Sequence, residues 1–503
     1  MSFFGAEGEL LGSSNYRGRI TWLSFCIQNI AKGEKLCYTI TYTSLLGDKN
    51  MKIAADYGFK TENDGVSNAL ALQKAVEGGG DIYVDQPGVY EIADQVVLGN
   101  DTSLYFCAGA RLKRIANPEE IGYVFVNSGA YTKTYNKNIK IVGLHLICNG
   151  VISTKKGQNS KRIILGLRGH CSFFYVKNLQ ILNFECYDLP VEDFGIHICT
   201  FENVLLENLR IEGMKDAVHF GRGNKFVVRH GLFRTYDDPI ALNGHDYVTS
   251  NPELGWIENG LIEDCYDLNA DATVGYFCRI LAGAWTDWRE GMVVQRSDTV
   301  VSNNRLYRVY MPVDGKKYKS VTRPTHEKGE KEYDGIVWAV VQEGVTYGAG
   351  CRNIHFKDIY LQKNRSIAFS IHFDKDEYSR SYYPYATPPV QENLTFENVV
   401  VEAETIRRLL CSISPVDNVR FINCTLKDNS LHFDNIKEEG IVYPTTNLLF
   451  SGTKFKEEIS TFIRCEEGTS ASVRVINSMN DSWGSKTEGN VTVQSADISL
   501  QEE

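Results

Sequence analysis

Short runs of alternating apolar and polar residues recur along most of this chain, and most open on an Asn. NIKIVGLHLI begins at Asn138, NLQILNFECY at Asn178 and NVLLENLRIE at Asn203. KFVVRHGLFR follows from Lys225, WIENGLIEDC from Trp256 and NIHFKDIYLQ from Asn353. Late copies are NLTFENVVVE from Asn393, NVRFINCTLK from Asn418 and NLLFSGTKFK from Asn447. Many consecutive copies lie 22 to 31 residues apart, with longer steps where loops are inserted. A period of two predicts strands with one buried face. A repeat of this length built of strand alone predicts a β-helix, in which each coil stacks its apolar side chains on the next. Asn at the start of each copy suits a corner that needs left-handed backbone angles. The L-x-x-L-x-L spacing of leucine-rich repeats is absent, and so is the W-D signature of propeller blades.

Two segments depart from the repeat. Residues 67–76 carry Ala and Leu at helical spacing, and Gly78–Gly80 end that helix before a strand. Such a helix would plug the open end of the solenoid and hide the unpaired edge of its first coil. From about Trp285 to Gln342 the repeat stops, and Trp285, Trp288 and Trp338 sit among alternating runs. That stretch is read as a small inserted β module, or as a long loop capping a groove. The expected division is 1–50 as an appended or poorly packed segment, 51–284 as capped N-terminal coils, 285–342 as the insert and 343–503 as C-terminal coils.

The block DYGF at Asp56–Phe59, DGV at Asp64–Val66, the helix, the Gly run and the strand DIYVDQPGVYEI resemble the start of pectin-lyase-fold proteins. The resemblance implies an all-β chain: a right-handed, single-stranded parallel β-helix with an N-terminal cap helix. It does not imply one activity, because lyases, hydrolases, epimerases and phage tailspikes share this start.

Composition narrows the partners. The formal net charge is −10 and no long basic run occurs, which disfavours nucleic acid. No stretch approaches the ~18 apolar residues of a membrane span. Ile20–Ile27 is too short, and lacks the cleavage site, for a clear signal peptide. An extracytoplasmic location stays open if the true N-terminus differs. The thirteen Cys are scattered without a C-x-x-C pair, and Cys186, Cys199, Cys265 and Cys424 fall in apolar runs, as buried small hydrophobes would.

The segment richest in chemistry is Met214–Tyr247. Asp237 and Asp238 follow Asp216 by about one coil, which would stack the three carboxylates on one face. Like charges that close raise at least one pKa, as a general acid requires. The other reading is that these Asp residues cap turns. The arrangement resembles the polygalacturonase-like glycoside hydrolases of family 28, whose pattern runs N-T-D, G-x-D-D, G-H-G, R-I-K. Lys215–Asp216 matches the first element and Tyr236–Asp238 the second. The resemblance implies Asp237 as general acid, with Asp216 and Asp238 holding the attacking water of an inverting hydrolysis. Gly244–His245–Asp246 comes too soon for the third element, and Gly275–Tyr276 carries Tyr where His is expected. Arg279–Ile280 is followed by Leu281, so the basic residue that would hold a uronate carboxylate is missing.

His219, Arg222, His245, Asp246, Arg279 and His372 are candidate substrate contacts, with His219 expected to face outward beside the small Ala241. Tyr382–Tyr385 (YYPY) is read as a sugar-stacking platform or as a loop packed on the solenoid. The expectation is an enzyme acting on a polysaccharide or oligosaccharide, with no metal and no cofactor. The alternatives are a polysaccharide lyase, which would use Ca²⁺ and a Lys or Arg base, and a non-catalytic tailspike-like glycan binder.

Overall fold

The computed structural model describes residues 22–29, 34–41, 51–116, 122–152, 163–270, 274–311, 314–375, 379–427, 429–455, 461–478 and 486–496. The chain divides into two compact units, Met1–Met51 and Lys52–Glu503. Within the first, Trp22–Asn29 pairs antiparallel with Glu34–Thr41.

The second unit is one long sheet wound into a solenoid, paired in parallel from coil to coil. On one wall, Gly169–Leu189 pairs with Phe194–Gly213. Gly223–Thr235, Trp256–Asp267, Gly348–Leu361 and Gln391–Val401 continue that wall in order. A second, shorter wall stacks Val218–Phe220, Ile240–Asn243, Cys278–Leu281 and Ile367–His372. Alternate residues of these strands enter a single apolar core. Phe356, Phe396, Phe421 and Phe450 stack through four coils there, with centroid steps of 5.1, 4.9 and 4.9 Å. Cys171, Cys186, Cys265 and Cys424 are buried in the same core.

An Asn at or near the start of most repeats turns the chain. Asn138, Asn178, Asn203, Asn259, Asn353, Asn393 and Asn418 all have φ between 55° and 61°. Asn tolerates this region because its short amide finds a local partner. Here the partner is the Asn one coil away: Asn178 donates to Asn138 at 2.9 Å, Asn203 to Asn178 at 2.8 Å and Asn393 to Asn353 at 2.8 Å. Each rung satisfies amides that would otherwise be left to solvent at a corner, so the ladder sets the register of the coils as well as their turns.

The cap helix spans Gly65–Val76. Asp64 caps it, accepting from the Ser67 amide at 2.7 Å. Leu72, Ala75 and Val76 bury its inner face against the first coils. The insert is a five-stranded sheet formed by Thr286–Asp287, Thr299–Ser302, Arg305–Val309, Glu330–Tyr333 and Ile336–Glu343. It has its own core around Trp285, Trp288 and Trp338. Its neck closes where Gly283 and Ala284 pair with Ala349 and Gly348, so the solenoid resumes beside the point where it was left.

Candidate active site

Val218 is in register with Ile240 and Gly213 with Thr235, which sets Asp216 beside Asp238 on neighbouring coils and Asp237 next to both. One oxygen from each of the three carboxylates lies within 4.8 Å of the others. This is tighter than the ~6.5–9.5 Å usual between the two carboxyls of inverting glycosidases, and close to the ~5–5.5 Å of retaining ones. Asp216 and Asp238 are fully buried, while the Asp237 side chain keeps 18 % of its surface exposed.

Two cations hold the trio. Lys215 Nζ bonds Asp237 and lies 3.6 Å from Asp216. Burial pulls the Lys215 ammonium down, but Asp216 and Asp237 outweigh it and keep it above its ordinary value. Arg279 Nε lies 3.0 Å from Asp238, and its Nη2 lies 3.5 Å from Asp246 and 3.8 Å from Asp216. For Asp238, burial, reinforced by Asp237 and Asp216, prevails over Arg279 and raises the carboxyl to about 8. Burial and like charge thus both favour the neutral form of Asp238.

The backbone around the trio is shaped to fit it. A Cβ on Gly275 would stand 2.5 Å from Asp238 Oδ1 and 2.7 Å from Asp237 Oδ1, and its φ of +73° already favours glycine. The next amide, of Tyr276, donates to Asp238 at 2.7 Å. From 128 residues further along the chain, Arg365 Nη2 reaches the Asp237 carbonyl at 3.4 Å, and Lys363 Nζ bonds the Thr235 carbonyl. Arg365 is itself fixed by a bidentate pair with the buried Asp267, at 2.6 and 3.0 Å. Burial, then the charge of Arg365, pushes Lys363 down to about 8. Lys215, Tyr276, Lys363 and Arg365 were not among the residues expected from sequence. The Lys-Asp dipeptide was the available signal for Lys215, and nothing local marks Arg365.

Among the other expected residues, Arg279 and Asp246 join the cluster and His219 lies beneath it. His219 does not face open space beside Ala241. The Arg279 side chain, in register with Ala241, occupies that space, and Phe194 stacks on the imidazole at 4.0 Å. His219 Nδ1 donates to Asp216 at 3.0 Å, and Nε2 lies 3.4 Å from Asp246. Burial first, then the neighbouring Arg279, Lys215 and Arg168, overcomes the pull of Asp246 and lowers His219 to about 3. It is a neutral support for Asp216 with no surface for a substrate. His245 is also fully buried, against Trp285 and 3.3 Å from Arg308 of the insert. The same Arg308 donates to the Asp246 carbonyl at 2.6 Å. His372 sits at the edge, 5.7 Å from the Tyr276 ring, with Nδ1 2.9 Å from Ser370 Oγ. Burial and then Arg279 bring it to about 3.

Arg222 lies elsewhere, in a cleft of about 460 Å³ lined also by Thr200, Trp256 and Gln342. There it pairs with the buried Glu253 at 2.9 Å.

The trio offers oxygens to a cation, yet Lys215 and Arg279 already compensate them, and Ca²⁺ seeks six to eight oxygens. A second close group, Cys148, Cys186 and Asp188, is explained as a turn. Both Asp188 oxygens accept backbone amides, of Cys148 and Asn149, at 2.8 Å each.

No family model matches the chain, and no curated protein matches it in sequence. Solved structures do resemble it. An endo-xylogalacturonan hydrolase from Aspergillus tubingensis is 10% identical over 89% of this chain and 99% of its own, with a TM-score of 0.41. A family 28 exopolygalacturonase from Yersinia enterocolitica is 14% identical over 92% and 81%, with a TM-score of 0.43. The N-terminal fragment of the bacteriophage phi29 gene product 12 is 11% identical over 88% and 70%, with a TM-score of 0.48. Likenesses this distant say nothing of activity. By the pairing of its strands, the chain is an all-β parallel β-helix.

Proposed function

We propose that this protein is a glycoside hydrolase that cleaves a glycosidic bond in a pectin-like or other complex polysaccharide. The observation that carries the reading is three carboxylates clustered within 4.8 Å of one another, two of them buried and one, Asp237, partly exposed. In this reading Asp237 is the general acid, giving a proton to the glycosidic oxygen as the C1–O bond breaks. Asp216 and an ionised Asp238 hold a water, whose oxygen bonds to C1 while its proton passes to a carboxylate. Arg279 keeps that pair charged during the step, and His219 fixes Asp216 from below.

Inversion at C1 follows from water as the direct nucleophile. The 4.8 Å limit on the oxygen separations favours a second reading, retention through a glycosyl ester. The first anomer released, observed by proton NMR, separates the two. The activity itself is tested by new reducing ends on a polysaccharide panel. Ultraviolet-absorbing unsaturated products would indicate a lyase instead.

A further inference from the structure

A second cleft lies where the insert meets the YYPY segment, away from the carboxylates. It has a volume of about 460 Å³ and is lined by Arg289, Val293, Lys317, Arg380, Tyr383 and Tyr385, among others. Tyr385 is 72 % exposed, an unusual state for so large a ring. It is also held there. Its φ of 63° is strained for a bulky residue, and its amide is anchored on Glu438 at 2.7 Å. The same Glu438 oxygen accepts from the Tyr382 hydroxyl at 3.3 Å. Behind it, Tyr383 donates to the Val293 carbonyl at 3.0 Å, which ties the segment to the insert.

The charge of the cleft is opposite to that of the chain. Among the described lining residues, Arg289, Lys317 and Arg380 face one acid, Glu290, in a protein whose net charge is −10. Arg380 is set in place by the buried Asp298 and lies 5.4 Å over the Tyr383 ring. Arg289 and Lys317 have no ion pair among the described residues. An exposed ring on an anchored backbone beside three cations suits a saccharide bearing a negative charge: its apolar face stacks, and its anionic group meets the cations.

We propose that this cleft is an accessory binding site for an acidic sugar unit of a glycan chain, carboxylated or sulfated. It acts by binding alone and does not depend on the chemistry at Asp237.

The test is calorimetric titration of the full chain carrying Asp237→Asn, which prevents turnover. The probes are hexagalacturonate, a sulfated galactan hexasaccharide, neutral xylohexaose and inorganic sulfate. At least one acidic hexasaccharide should bind, and which one identifies the anionic group. Tyr385→Ala should weaken that binding about tenfold or more. Arg289→Gln with Lys317→Gln should weaken it and flatten its salt dependence, with the melting temperature unchanged. Three results would overturn the proposal: neither acidic hexasaccharide binds, binding is indifferent to these substitutions, or inorganic sulfate and xylohexaose bind as well as the acidic probes. Acidic-glycan binding lost with Tyr385 would stand even if no hydrolysis is found.

Discussion

Arg279 Nε lies 3.0 Å from Asp238 Oδ2, with Asp238 buried and Arg279 keeping a small exposed edge. Removing Arg279, as in Arg279→Gln, takes away the cation that favours the ionised carboxyl and leaves burial to favour the neutral one. The acid limb of any pH–activity profile should therefore move upward in the variant. A profile that keeps its position would show that Arg279 does not act on the titrating group.

Asp238 links the site to stability. Its carboxyl is raised from 3.8 to about 8 by burial. Between those values the native state holds a proton that the unfolded chain has released, so stability at this site falls as pH rises through the window. Asp238→Asn cannot ionise. The stability of the variant relative to the parent should therefore grow from pH 5 to pH 8.5, measured by urea unfolding at each pH. A difference constant with pH would mean that Asp238 is already ionised at the lower end.

Arg365 and Asp267 form a fully buried pair that supports the backbone under Asp237. Arg365→Met alone should cost about 3–5 kcal/mol, by stranding Asp267. Adding Asp267→Leu removes the stranded charge and should recover much of that loss. Activity should not recover with it, because the Asp237 carbonyl still lacks its donor. Recovery of both together would reduce Arg365 to a packing residue.

Arg308 carries the insert's influence to the site. It is 2 % exposed and donates to the Asp246 carbonyl at 2.6 Å. Arg308→Ala should loosen the turn at residues 245–251 and reduce kcat more than it raises KM, while the solenoid keeps its far-ultraviolet dichroism. Unchanged kinetics would make the insert independent of the catalytic face.

Much of this was legible in the sequence because a solenoid translates sequence spacing into spatial contact. The leading Asn residues mark the left-handed corners, and the step from Asp216 to Asp238 is one coil. The histidines were misread for the converse reason. An alternating strand says which face His219 occupies, but not that Phe194 and Arg279 cover that face. Arg365 was hidden because its target lies 128 residues earlier, across the insert. No local pattern records a contact made only when the coils stack.

Asp237→Asn tests the central claim most directly. The substitution keeps the shape of a partly exposed side chain and removes its transferable proton. On a polysaccharide from which the parent releases reducing ends, the variant should be slower by about 10²-fold or more, with an unchanged melting temperature. Undiminished release of reducing ends by the folded variant would contradict the assignment of glycosidase chemistry to this cluster.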